Sequence, residues 1–218
     1  MKSKIQSNNV AAIIKQTTAT ILISIFLVAC STARITTAPN AQAIASGHQT
    51  FAVLPPTVTI TESGNVTHDE RVEMQRQESL NFQREIHAWL ENRRMQGRIQ
   101  VNIQDVAITN YILSNAGYPE TPLPVAELGR LLGVDGIMTS NFVLTRPMSQ
   151  GLATAALLLG GRRFNTNQVR ARLSISDCES GMLIWTYEDR ISGGLGSSPS
   201  SIVDQLMRQA SRRMPHVQ

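Results

Sequence analysis

The chain has 218 residues, 42% hydrophobic and 17% charged, with a formal net charge of +4. That charge misleads, because all three lysines (Lys2, Lys4 and Lys15) lie near the start, and from Cys30 onward 17 arginines face 16 acidic residues, a balance of +1. Such a balance excludes an electrostatic case for nucleic acid, and the length from Cys30 on suits one domain with its own core.

The chain opens with its lysines and then runs apolar from Ala19 to Ala29, a charged leader followed by a signal core. The run is about half the roughly 20 residues that a spanning helix needs, so export with removal of residues 1–29 fits better than an uncleaved anchor. Leu27-Val28-Ala29-Cys30 resembles the lipobox of bacterial lipoproteins. The resemblance implies that Cys30 is lipidated, becomes the mature N-terminus, and ties the protein to the membrane. An ordinary signal peptide with an incidental cysteine is the competing reading. Ser31 in place of Asp implies, by the same resemblance, sorting to the outer membrane with the domain facing the periplasm. With Cys30 given to lipid, Cys178 is the only thiol left and no intrachain disulfide is expected.

Residues 30–49 carry almost no charge and no period, and are expected to be a lipidated flexible tether. A single domain is expected over 50–214. Phe51 to Leu54 is a short buried strand stopped by Pro55-Pro56, and 57–68 reads as a loop or ragged edge. From Asp69 to about Met95, Val72, Ser79, Phe82, Ile86, Trp89 and Leu90 recur at helical spacing, and Gly97 ends the helix. Ile99, Val101 and Ile103 alternate as a half-buried strand, Asp105 to Asn115 is a short helix, and Pro124 to Leu132 is a second amphipathic one stopped by Gly133. Ile137 to Leu144 is a strand. Val169 to Ile175 and Met182 to Arg190 pair as a hairpin, with Trp185 at least half buried on the face of Leu183 and Tyr187. Ser192 to Ser200 reads as a linker before a last helix with Ile202, Val203, Leu206, Met207 and Ala210 inward. The order predicts an α/β (α+β) fold, a mixed sheet of about five strands covered by helices.

Chemistry is hard to find. Four histidines are scattered: His48 in the tether, His68 in a loop, His87 on the long helix as an exposed residue, and His216 at the tail. No metal-ligand spacing is present, and Glu85 and His87 point to different faces of one helix. Cys178 sits in a turn between Asp177 and Glu179, whose charges raise a thiol's pKa, so it is expected to be a poor nucleophile. Gly194-Leu195-Gly196-Ser197-Ser198-Pro199 lacks the third glycine of a dinucleotide loop and reads as linker. No catalytic residue, cofactor, metal or small-molecule substrate is therefore expected.

The run Leu132-Gly133-Val134-Asp135-Gly136-Ile137, then Val169 to Asp177, then Gly181-Met182-Leu183-Ile184-Trp185, resembles envelope lipoproteins of the curli-secretion-channel (CsgG-like) and penicillin-binding-protein-activator (LpoB-like) fold group. The likeness spans about residues 50 to 213, although Pro56 stands where an aromatic is usual. It implies a CsgG/TolB-N-terminal-like domain. Three functions then compete: a non-enzymatic envelope lipoprotein that binds a protein partner or forms a homo-oligomer, supporting secretion, surface assembly or cell-wall synthesis; a subunit of a curli-type outer-membrane secretion pore; and an envelope hydrolase, for which no catalytic set converges. The apolar insertion at 148–168 is the segment that divides the first two. Its Gly151 to Gly161 core has the length of a membrane strand but the composition of a short Ala/Leu helix at a subunit or membrane contact.

Overall fold

The computed structural model describes residues 33–61, 66–145, 167–193 and 198–217. The leader, Cys30 and nearly all of the 148–168 insertion lie outside these residues. Residues from Ala33 onward form one compact unit. Its elements are β1 (Arg34–Thr37), α1 (Ala41–Gly47), β2 (Thr50–Val53), β3 (Thr57–Ile60), α2 (His68–Met95), β4 (Asn102–Ile103), α3 (Val106–Asn115), α4 (Val125–Leu132), β5 (Gly136–Leu144), β6 (Asn167–Asp177), β7 (Leu183–Gly193) and α5 (Pro199–Ala210), with a 3₁₀ turn Ser211–Arg213 after it.

The expected mixed α/β sheet is present, with seven strands in the order β1-β7-β6-β5-β2-β4 and β3 also on β5. Central β5 pairs antiparallel with β6 from Gly136↔Asp177 to Leu144↔Val169. On its other side it takes β2 and β3 in parallel, one after the other. Pro55-Pro56 interrupts the ladder between them, as a residue without a backbone donor must. Val53 O, left at the gap, accepts from Gln83 Nε2 at 2.8 Å, and the Gln83 amide is closed by a reciprocal pair with Asn110.

Two strands escape the sequence reading. Thr57-Val58-Thr59-Ile60, read as a loop or ragged edge, is a regular strand: Val58 and Ile60 are buried and the threonines exposed, the period-two signature. Residues 33–49 are not a flexible tether either. Arg34–Thr37 pairs antiparallel with β7, and α1 buries Ala41 and Ala45 in the main core. Ile99 and Val101 are buried as expected, but the strand around them shrinks to Asn102–Ile103.

The long helix forms for local reasons. Thr67 and Glu70 make a capping box, Arg93 and Arg94 sit in the last turn, and Gly97 follows at φ +72°. Its inward stripe is Met74, Glu78, Phe82, Gln83, Ile86 and Leu90, steps of four along one face, whereas Val72 is exposed. With α1 and α5 it covers one face of the sheet, where Phe82 stacks on Phe142 at 4.1 Å between ring centroids. On the opposite face α3 and α4 bury Leu113, Leu128 and Leu132 against Ala52, Leu54 and Ile137. Trp185 is 1% exposed and Tyr187 shares its burial, as expected. Leu183 differs and is half exposed, because the register slips: Ile175 pairs with Trp185 but Ser176 pairs with Leu183, so Ile184 is an extra residue and breaks the alternation.

Candidate functional site

The chemistry-bearing side chains that the fold gathers lie at the end of the sheet where α1, β2, the β6–β7 turn and the C-terminal tail meet. Leu132-Gly133-Val134-Asp135-Gly136 builds this end. Gly133, at φ +68°, stops α4, and Val134 tucks into the smaller core. Asp135 Oδ2 accepts from the amides of Gln49 and Thr50 at 2.7 and 2.9 Å, fixing the entry to β2. Gly136 must be glycine for space, since a Cβ there would lie 2.6 Å from His48 Nδ1 and 2.8 Å from the Phe51 ring.

His48, at the end of α1, and His216, in the tail, are 168 residues apart in sequence yet meet with His48 Nδ1 2.9 Å from His216 Nε2. The other nitrogen of His48 lies 3.0 Å from Asp177 Oδ1. Asp177 Oδ2 accepts from the Ser180 amide at 2.8 Å and from the Ser180 hydroxyl at a shorter distance. All three of His48, Asp177 and His216 are buried, and the His216 ring packs against Phe51 at 4.9 Å. The carboxylate can only accept, so His48 donates to it from Nε2, and a single proton shared between His48 Nδ1 and His216 Nε2 joins the two rings. His216 Nδ1 is left buried with no hydrogen-bond partner among the described residues.

Burial acts to raise the Asp177 carboxyl, but the Ser180 hydroxyl and amide and then His48 outweigh it and hold it below its ordinary value. His216 is pushed down to about 3, by burial first and by the charge of His48 second. Cys178 is buried in the adjoining turn, and its thiol is pushed up to about 12 by burial, then by Asp177 and Asp135. Its Cβ sits so close to α4 that a Cβ on Gly129 would come within 2.3 Å. Cys178 is therefore a packed turn residue, and the expected effect of Asp177 on it is present, second to burial.

The order along this network is serine, aspartate, histidine, histidine. Ser180 bonds to the carboxylate and not to an imidazole, so no base is positioned to activate its hydroxyl. What the arrangement does is tie three chain segments together. The scattering expected of the histidines is corrected for His48 and His216. His68 is the exposed first residue of α2, and His87 is half-buried, not exposed, with Nε2 unpartnered among the described residues. Among the described residues no group of acids, histidines and cysteines could hold a metal ion, and no helix is long and apolar enough to cross a membrane.

Comparison with protein-family models and with curated proteins gives no match. Among solved structures, the PelC dodecamer from Paraburkholderia phytofirmans is similar at 15% identity over 86% of this chain and 99% of that one, with a TM-score of 0.40. Lipoprotein GNA1162 from Neisseria meningitidis is similar at 13% identity over 76% and 97% of the two chains, TM-score 0.44. The LpoB C-terminal domain from Escherichia coli is similar at 12% identity over 70% and 95%, TM-score 0.32. The last name coincides with the activator side of the resemblance drawn from the sequence. At identities and TM-scores this low, the likenesses carry no argument about family, task or partner.

Proposed function

We propose that this chain is a lipid-anchored envelope protein that acts by binding a protein partner or further copies of itself, and not by catalysis. The observation that carries the reading is the leader that ends in Leu27-Val28-Ala29-Cys30, with nothing but small and polar residues between Cys30 and the first strand. Several acyl chains on one cysteine exceed the two signals that stable anchoring needs. The site chemistry supports the rest, because the buried histidines and aspartate are taken up in tying segments together and Cys178 is held as a thiol. Anchored at the outer membrane and facing the periplasm, such a protein would support secretion, surface assembly or cell-wall synthesis, as the sequence resemblance implies.

A second reading, a subunit of a curli-type secretion pore, is favoured by one observation. Leu144 and Val169 are register partners, so a tight turn could have joined β5 to β6, yet the chain between Thr145 and Asn167 runs through 21 residues with an apolar core. Cys30→Ser is expected to abolish incorporation of labelled palmitate and to leave the leader attached; equal labelling of the variant ends the anchor reading. Detergent-extracted protein imaged by electron microscopy then separates the two, since a large ring with a central channel supports the pore and a monomer or small oligomer supports the partner-binding reading.

A further inference from the structure

Cross-strand register puts four arginines on the half of one sheet face that no described element covers. Arg170 stands directly opposite Arg190, Arg172 opposite Glu188, and Glu188 opposite Arg34. Successive strand residues alternate between faces, so these five share the side away from Tyr187 and Trp185, the side whose other half α3 and α4 cover. All four arginines are exposed, and among the described residues none is held in an ion pair. The pair Arg170 and Arg190 is costly: like charges directly opposite one another on a sheet destabilise it. A face that keeps such a pair, with four positive charges against one negative, has a use for its charge.

This patch lies at a particular corner. β1 is an edge strand, Arg34 is its first residue, and Cys30 precedes it by four residues, which reach at most about 14 Å of chain. We infer that the open face of β1, β7 and β6 rests on the anionic headgroups of the bilayer that the lipid on Cys30 enters, with Arg34, Arg170, Arg172 and Arg190 as the contact. The inference rests on the anchor reading above. A short anchor holds the corner within reach of the surface, and the arginines choose which face turns toward it, because an arginine close to an anionic surface is attracted while one on the far side of the domain is screened.

The test uses the full lipidated protein reconstituted in vesicles, with a fluorophore on Asn141→Cys, exposed on this face, or on Asn92→Cys, exposed on α2 across the sheet. The probe is a headgroup-bound quencher in phosphatidylethanolamine bilayers with a minority of phosphatidylglycerol, compared with phosphatidylcholine alone. The Asn141 label is expected to be quenched about threefold more than the Asn92 label when phosphatidylglycerol is present, with the difference lost at high salt. The double variant Arg170→Gln with Arg190→Gln relieves a repulsion and so keeps the fold, and is expected to lose the difference as well. Equal quenching at the two positions, or quenching indifferent to phosphatidylglycerol and to the variant, overturns the inference. Shielding of Asn141 already complete in detergent without lipid also overturns it, in favour of a second copy or another segment of the chain on that face. If mass analysis finds no acyl chains on Cys30, the anchor reading fails by itself, and sedimentation of the unlipidated chain with the same two vesicle types decides whether the face prefers anionic lipid.

Discussion

His216 gives the domain a pH dependence that its position in the sequence does not suggest. In the unfolded chain its imidazole takes up a proton near 6.5, whereas in the folded protein it stays neutral down to about 3. Between these values the unfolded state binds more protons, so the contribution is fully present above about 6.5 and is lost as the pH falls toward 3. Asp177, held below its ordinary value of 3.8, adds a further loss only as the pH falls through that lower range. The melting temperature is expected to drop between pH 7 and 4.5 by the equivalent of a few kcal/mol, and His216→Gln, whose amide can still hydrogen-bond to His48, is expected to flatten that slope. An unchanged slope in the variant would assign the acid sensitivity elsewhere. Gly136→Ala tests the same end of the sheet by packing, since its methyl must displace the His48 ring or Phe51 in a closed core; a loss of about 1–3 kcal/mol in denaturant unfolding is expected. Half of this site was legible in the sequence. The Gly133 stop and the turn around Cys178 have local signatures, but two histidines separated by nearly the whole chain leave no mark on composition or period, because their pairing is set by where α1 and the tail return to the sheet.

At the scale of elements, the sequence was readable wherever a segment carries its own reason to form. The long helix has its capping box, its stripe in steps of four and its glycine stop, and all three lie within the helix or beside it. β1 has no such signature. Arg34-Ile35-Thr36-Thr37 is short, polar and preceded by residues of linker composition, and becomes a strand because β7, some 150 residues later, offers Thr186 and Tyr187 as register partners. β3 was missed for a different reason: its alternation is present, but the two prolines before it suggest an end where the chain only steps to the next part of β5. The β1 assignment has a simple check, because trypsin cuts after arginine in mobile chain and not in a hydrogen-bonded strand. Native protein is expected to resist cleavage after Arg34 at enzyme levels that cut the unfolded chain within minutes, by the stabilisation that closing β1 onto β7 provides. Rapid clipping there, with the rest of the domain intact, would return residues 33–49 to the status of a tether.

At the scale of the whole molecule, the class of fold came from the order of elements, while the arrangement of the sheet did not. Nothing local says that the first strand lies beside the last, or that β5 carries three neighbours. That arrangement bears on the segment between Thr145 and Asn167. Because β5 and β6 are held together by nine register pairs that end at Leu144 and Val169, their closure does not depend on the length of the link. Removing Leu152 to Leu159 leaves 13 of its 21 residues, ample to join strand ends one ladder spacing apart. Shortening the link by that amount lowers the entropy cost of closing it by about 0.4 kcal/mol, so the effect on stability is small and slightly favourable. The deletion is therefore expected to melt within a degree or two of the parent, and to reduce self-association or retention on membranes if the apolar stretch is used there. A deletion protein that does not fold, or melts far lower, would mean that these leucines supply core to the domain.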